Sequence, residues 1–186
     1  MELPSAQATL RDMSQFDSWL LSAETSEPFT HCIRCKMPLI ELDSGWLINK
    51  EFHKGECVLE YAICEKCREE ASEEFSEESK MAVRDFLENE IPWEERLQQF
   101  VADPESRMKK CVVCGFPSEK TDGYSTSVLL KPNGEIDMGP LPLLICGECT
   151  ERMTESLSEA TRDSWRRFLD DHFESPPQLS SLPGLL

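Results

Sequence analysis

The chain has 186 residues, a formal net charge of −17 and a hydrophobic content of only 39%. That length suits one large domain or two small ones, and the charge repels phosphate backbones and anionic membrane surfaces at long range. No run approaches the roughly 18 consecutive apolar residues of a membrane span. Met1 to Leu10 lacks the basic-then-apolar order of a secretory signal, so the expected compartment is the cytoplasm, where thiols stay reduced.

Residues 1–13 show no periodicity and read as an N-terminal tail. A short helix is expected next, with Phe16, Trp19, Leu20 and Ala23 on one face. Cys32-Ile33-Arg34-Cys35 follows. Alternation then predicts a hairpin with arms near 46–53 and 58–63, turning at Lys54-Gly55-Glu56. Cys64-Glu65-Lys66-Cys67 opens a long helix over 65–90. Ala71, Phe75, Ala82, Val83, Phe86 and Leu87 recur on it at the helical period, and the glutamates of 69–78 fall on its solvated face.

The same order then repeats. Trp93, Leu97, Phe100 and Val101 mark a second short helix, with Pro92 suited to its start. Cys111-Val112-Val113-Cys114 precedes arms near 125–131 and 141–145, with a Pro132-Asn133-Gly134 turn. Pro140 and Pro142 make the returning arm an edge or irregular strand. Cys146-Gly147-Glu148-Cys149 opens a second long helix over 148–172, with Met153, Leu157, Ala160, Trp165, Phe168 and Leu169 on one face. Residues 174–186 hold Pro176, Pro177 and Pro183 among serines and read as a flexible tail.

Shifting the chain by 79 positions lays Cys32 and Cys35 on Cys111 and Cys114, Asp43 on Asp122, and Gly55 on Gly134. After a three-residue insertion in the second copy the shift is 82, which lays Cys64 and Cys67 on Cys146 and Cys149, and Phe86 on Phe168. The apolar positions on both flanks match as well. The chain therefore reads as an α+β tandem repeat of two small zinc-stabilised modules, 14–91 and 92–173. Each would consist of a short helix, a CxxC knuckle, a β-hairpin and a CxxC-headed long helix.

A CxxC places two thiolates on one side of a tight turn, half of a tetrahedral shell, and a second CxxC completes it. The pairs Cys32, Cys35, Cys64, Cys67 and Cys111, Cys114, Cys146, Cys149 are thus two candidate Zn²⁺ sites. Each second pair is expected at a helix N-terminus, which favours thiolate. Ligands interleaved between copies, or redox dithiols acting as a thiol sensor, are the competing readings. Both fit the ordered duplication less well.

This knuckle, hairpin and CxxC-headed helix resembles the treble-clef group of zinc fingers, over about 31–90 and 110–172. The resemblance implies structural zinc held by the four cysteines of each copy. Lys36 departs from it, standing where a glycine often follows the second cysteine; Gly115 fits. Cys57, the ninth cysteine, corresponds to Ile136 and reads as a small hairpin hydrophobe. His31 and His53 correspond to Lys110 and Pro132 and read as surface residues, while His172, near the end of the last helix, suits the helix dipole.

Four thiolates leave no open metal position for catalysis, and no catalytic motif is present. The expectation is a non-catalytic protein-interaction or adaptor module whose partner is another protein, with Trp46, Tyr124 and Trp165 as candidate anchors, although Trp165, on the apolar helix face, fits the core better. The alternative is a nucleic-acid-binding, transcription-associated protein. It would use the more basic second copy, through Arg107, Lys109, Lys110, Lys120, Lys131, Arg162, Arg166 and Arg167.

Overall fold

A computed structural model describes residues 17–102 and 104–174. The expected tails, Phe16 and, beyond Glu174, residues 175–186 lie outside the described residues, as do the side chains of Phe100 and Val101. The chain folds into mixed helix and strand around one four-stranded antiparallel sheet. A 3-10 turn at Asp17–Leu20 leads to the first knuckle and to strands β1 (Trp46–His53) and β2 (Glu56–Cys64). Helices α1 (Glu65–Glu73), α2 (Glu77–Glu90) and α3 (Trp93–Ala102) follow. The second copy supplies β3 (Gly123–Leu130), β4 (Leu143–Cys146), α4 (Gly147–Glu155) and α5 (Glu159–His172).

Two expectations need correction. First, the two copies do not form separate sheets. The strand order is β2-β1-β3-β4, and β1 pairs with β3 over its whole length, from Trp46↔Leu130 to His53↔Gly123. One apolar cluster runs through both copies, from Leu47, Ile48 and Tyr61 to Val128, Leu144 and Trp165. The physical reason is burial. Neither two-stranded arm set presents enough apolar area to stand alone in water, and joining them covers one edge of each.

Second, each long helix is broken. Ser76 and Ser158 hold extended backbone conformations and cap new helices, their side chains accepting from Ser79 N–H and Thr161 N–H. The signal was in the sequence as Ser76-Glu77-Glu78 and Ser158-Glu159, a capping residue followed by first-turn acids. The unbroken apolar periodicity concealed it.

The two copies are related by an approximate twofold axis through the sheet. Trp46 pairs with Cys64 and Tyr124 with Cys146, so Gly45-Trp46 corresponds to Gly123-Tyr124. The shift in the strands is therefore 78, not the 79 read from the flanking motifs; one residue is lost after Asp43 and regained before Gly134. With this shift Asn49 corresponds to Ser127, and these two residues are paired with each other. Ser127 Oγ donates to Asn49 Oδ1 at 2.8 Å.

The helix caps meet in the same symmetric way. Ser76 Oγ lies 2.9 Å from Ser158 Oγ. The backbone N–H of Ser76 donates to Thr161 Oγ1 at 3.1 Å, and that of Ser158 donates to Ser79 Oγ at 2.9 Å. Each cap thus satisfies the start of its own helix and the chain entering the other.

Each closing helix reaches across to the other copy. On α5, Phe168 packs on Tyr61 of β2, joined by Phe173 just beyond the helix. Ser164 Oγ donates to Glu74. In return Glu90 of α2 pairs with Arg152 of α4, whose guanidinium lies over Phe86.

The β1–β3 seam leaves no room beside Gly45. A Cβ there would stand 2.3 Å from the backbone oxygen of Leu130, whereas at the corresponding Gly123 the nearest atom, Phe52 O, is 3.3 Å away. Gly45→Ala is therefore expected to cost about 1–3 kcal/mol of stability, the usual range for forced overpacking, and Gly123→Ala less. Urea unfolding of both variants measures the difference, and equal midpoints would contradict the tight seam.

Candidate metal centres

Each first CxxC sits in a tight knuckle closed by its own backbone. The N–H of Cys32 donates to Met37 O at 3.0 Å, and that of Lys36 to Cys32 O at 2.9 Å. In the second copy the N–H of Cys111 donates to Phe116 O at 2.9 Å, and that of Gly115 to Cys111 O at 2.8 Å. The turn requires a left-handed residue after the second cysteine. Gly115 supplies φ 75° and Lys36 is held at φ 60°.

A side chain in that conformation costs on the order of 1 kcal/mol. Lys36→Gly is therefore expected to stabilise the protein by up to about that amount. The reverse change, Gly115→Lys, would also drive a Cβ to 2.8 Å from Arg96 Nη2. Thermal unfolding at saturating metal checks both signs.

The knuckles then dock on the outer strands. Ile33 N–H donates to Ala62 O of β2, and Val112 N–H to Leu144 O of β4, each at 2.8 Å. This covers both remaining sheet edges near the sites. The second CxxC of each copy begins where its strand ends. Cys64 and Cys146 occupy the N-cap positions of α1 and α4 in extended conformation, so Cys67 and Cys149 fall within the first helical turn. Strand, helix start and knuckle converge, and eight of the nine cysteines form two quartets.

Within each quartet the four sulfurs lie within 4.8 Å of one another. Cys35 and Cys64 sulfurs are 3.9 Å apart, and those of Cys114 and Cys146 3.7 Å. A tetrahedral zinc with bonds of about 2.3 Å sets its sulfurs about 3.8 Å apart, so the donor set fits that ion in number, type and spacing. Cys32, Cys64 and Cys67 are buried and Cys35 exposed; Cys111, Cys146 and Cys149 are buried and Cys114 exposed. The sequence-predicted ligands are all brought together, four within each copy and none shared between copies.

The thiols alone hold negative charge poorly. Hydrogen bonds from Cys146 and Cys149 draw the Cys111 thiol far below its ordinary range. The cost falls on its neighbours: acting as donor to Cys111 pushes Cys146 up to about 11, and Cys149 is driven higher still by Cys111 and Cys146. In the first quartet burial pushes Cys32 up, but N–H groups of Cys64, Cys35 and Arg34 outweigh it. Burial raises Cys64 and Cys67. Four thiolates in one such space need a cation at their centre, as a structural Zn²⁺ would provide.

Two arginines brace the knuckles, and the sequence did not single them out. Arg34 reaches Cys67 O at 3.4 Å and pairs with Glu74 at 2.8 Å. Arg96 of α3 holds the second knuckle through Val112 O at 3.0 Å and Val113 O at 3.5 Å. Arg34 lies inside its CxxC, which was a usable signal. Arg96 acts from another element, and only folding places it there.

The remaining candidates fall elsewhere. Cys57 joins neither quartet; burial and the Glu60 charge push its thiol up to about 11. His31 is exposed, His53 is half-buried on β1, and His172 meets Phe168 O and stacks on the Phe168 ring. Trp46 and Trp165 are core residues at 6% and 4% exposure, which corrects the anchor reading for Trp46 and agrees with the core position read for Trp165; Tyr124 is half-buried and stacks on Phe52. Arg107 is buried and donates to Gly139 O and Leu141 O, and Arg166 pairs with Asp163. No described helix is long and apolar enough to cross a membrane. Set against known protein families, characterised proteins and solved structures, the chain matches none.

Proposed function

We propose that this protein is a non-catalytic interaction module whose two ions, both Zn²⁺, act as structural staples. The observation that carries this reading is the completeness of the quartets. Each offers four sulfurs and no position for water or substrate, which is the arrangement of a structural site. The strand ends, helix starts and knuckles that converge on each quartet are the parts a staple would hold. The treble-clef-like order of knuckle, strands and CxxC-headed helix agrees with that role. An acidic surface of net charge −17 favours a protein partner over a polyanion.

Nucleic-acid binding is the weaker reading. Its central arginine, Arg107, is buried in backbone contacts, and Arg166 is paired within its helix.

Two measurements test the proposal. Elemental analysis should return two zinc ions per chain. Cross-linking in the source cell should capture a protein partner with the wild-type chain and lose it when the quartets are replaced by serine. Binding to duplex or single-stranded nucleic acid that weakens steeply with salt, in the absence of a captured protein, would overturn the interaction reading.

A further inference from the structure

A groove of about 720 Å³ lies where the two copies meet, between α4 of the second copy and the neighbouring ends of β1 and β3. It is within the size range of ligand-binding clefts, roughly 300–1,000 Å³. One wall is the outer face of α4, where Glu148, Glu151 and Glu155 recur at helical spacing; Asp122 stands on the strand side. These four carboxylates are exposed, and none forms an ion pair among the described residues. The groove also holds aromatic surface: Phe116 is 46% exposed at the knuckle tip, beside Phe52 and Tyr124. Its own cations are Lys120 and Arg162, with His53 at the rim, and Arg162 is already engaged with Leu157 O.

We propose that this groove docks an extended basic segment of a partner protein, with Lys or Arg side chains set against the α4 carboxylates and the Phe116 ring. Charge complementarity selects the occupant. Uncompensated carboxylates along one wall favour cations, and an exposed aromatic face adds attraction for an ammonium or guanidinium group. The groove's length along α4, from Glu148 to Glu155, suits an extended chain better than a single ion. The corresponding helix face in the first copy keeps Glu69 and Glu73 but carries Lys66 in place of Glu148, so the second copy's face is the more acidic. The proposal rests on the interaction reading above and names the chemistry of its partner.

The test uses the full zinc-loaded chain and a short fluorescein-labelled peptide alternating arginine and alanine, read by anisotropy. The triple variant Glu148→Lys, Glu151→Lys, Glu155→Lys is expected to weaken binding by at least about tenfold. The triple variant Glu78→Lys, Asp85→Lys, Glu88→Lys makes the same charge change on exposed α2 and is expected to weaken it less than about threefold. Phe116→Ser should weaken it about threefold through the lost ring. Near-UV circular dichroism confirms that each variant is folded. Equal weakening by both triple variants would mark a general acidic surface and overturn the groove, as would failure of the wild type to bind. A protein partner still captured at full strength by the α4 variant sinks the groove but leaves the interaction reading standing. Loss of capture by the wild type itself sinks both.

Discussion

Replacing Cys146 with serine is expected to empty its own quartet of metal and to destabilise the whole sheet, not half of it. Cys146 ends β4 and caps α4, so its sulfur ties strand, helix and knuckle to one point. Structural zinc sites bind with an apparent free energy of about 10–16 kcal/mol. That is comparable to or larger than the total stability of a typical domain, about 5–15 kcal/mol. If the copies were independent, the first would survive. They share the β1–β3 ladder, the Ser76–Ser158 cap cluster and the crossed packing of α2 and α5, so loss of one site removes the surface on which the other copy is built. Metal analysis combined with amide exchange on β1 and β2 reads the outcome. Wild-type protection of β1 in this variant would show that the copies fold separately. Cys57→Ser serves as the control: it should keep both ions and cost under about 1 kcal/mol, because Cys57 lies outside both quartets.

The second large effect is expected at Lys50. Its side chain is 3% exposed, its ammonium lies 3.4 Å from Glu60, and it also donates to Leu21 O. Glu60 in turn accepts from Ser22 Oγ at 2.6 Å and from Ala23 N–H at 2.8 Å. The pair thereby fastens the turn at Ser22–Glu24 to the sheet. Lys50→Met leaves Glu60 without its cation, and breaking such a pair by removing one partner costs about 3–5 kcal/mol. Urea unfolding should show this; a change under about 1 kcal/mol would mean the pair is solvated.

The pH dependence has a defined sign. Burial works to raise the Glu60 carboxyl, but Ala23 N–H, the Ser22 hydroxyl and Lys50 outweigh it and hold it below its ordinary value of 4.5. Its stabilising contribution is therefore full above about pH 4.5 and is lost as pH falls through the lowered folded value. The thiol ligands also take up protons in acid, so the difference between wild type and Glu60→Gln isolates this group. That difference should shrink below about pH 4.5 and stay constant above it.

Much of the site was legible in the chain itself. CxxC spacing is set by turn geometry within a few residues, so Cys32, Cys35, Cys64 and Cys67, with their counterparts Cys111, Cys114, Cys146 and Cys149, could be grouped without a fold. The duplication was legible too, because insertions and matched apolar positions are linear information. The breaks before Ser76 and Ser158 were written as capping signals but outvoted by helical period, which survives a brief interruption.

What the sequence determined by itself is local: the two thiol quartets, the strands and helix starts that present them, and a repeat. Tertiary structure alone decided how the repeats combine. Backbone edges pair without regard to side-chain motif, so nothing in the linear chain announces that β1 will pair with β3, or that Asn49 will face Ser127 across an approximate twofold axis. The same is true of burial. Trp46 carries the composition of an interface residue, and only the packing of its neighbours makes it part of the core. Ligand spacing is short-range and readable; shared edges and crossed helices depend on which surfaces must leave water together.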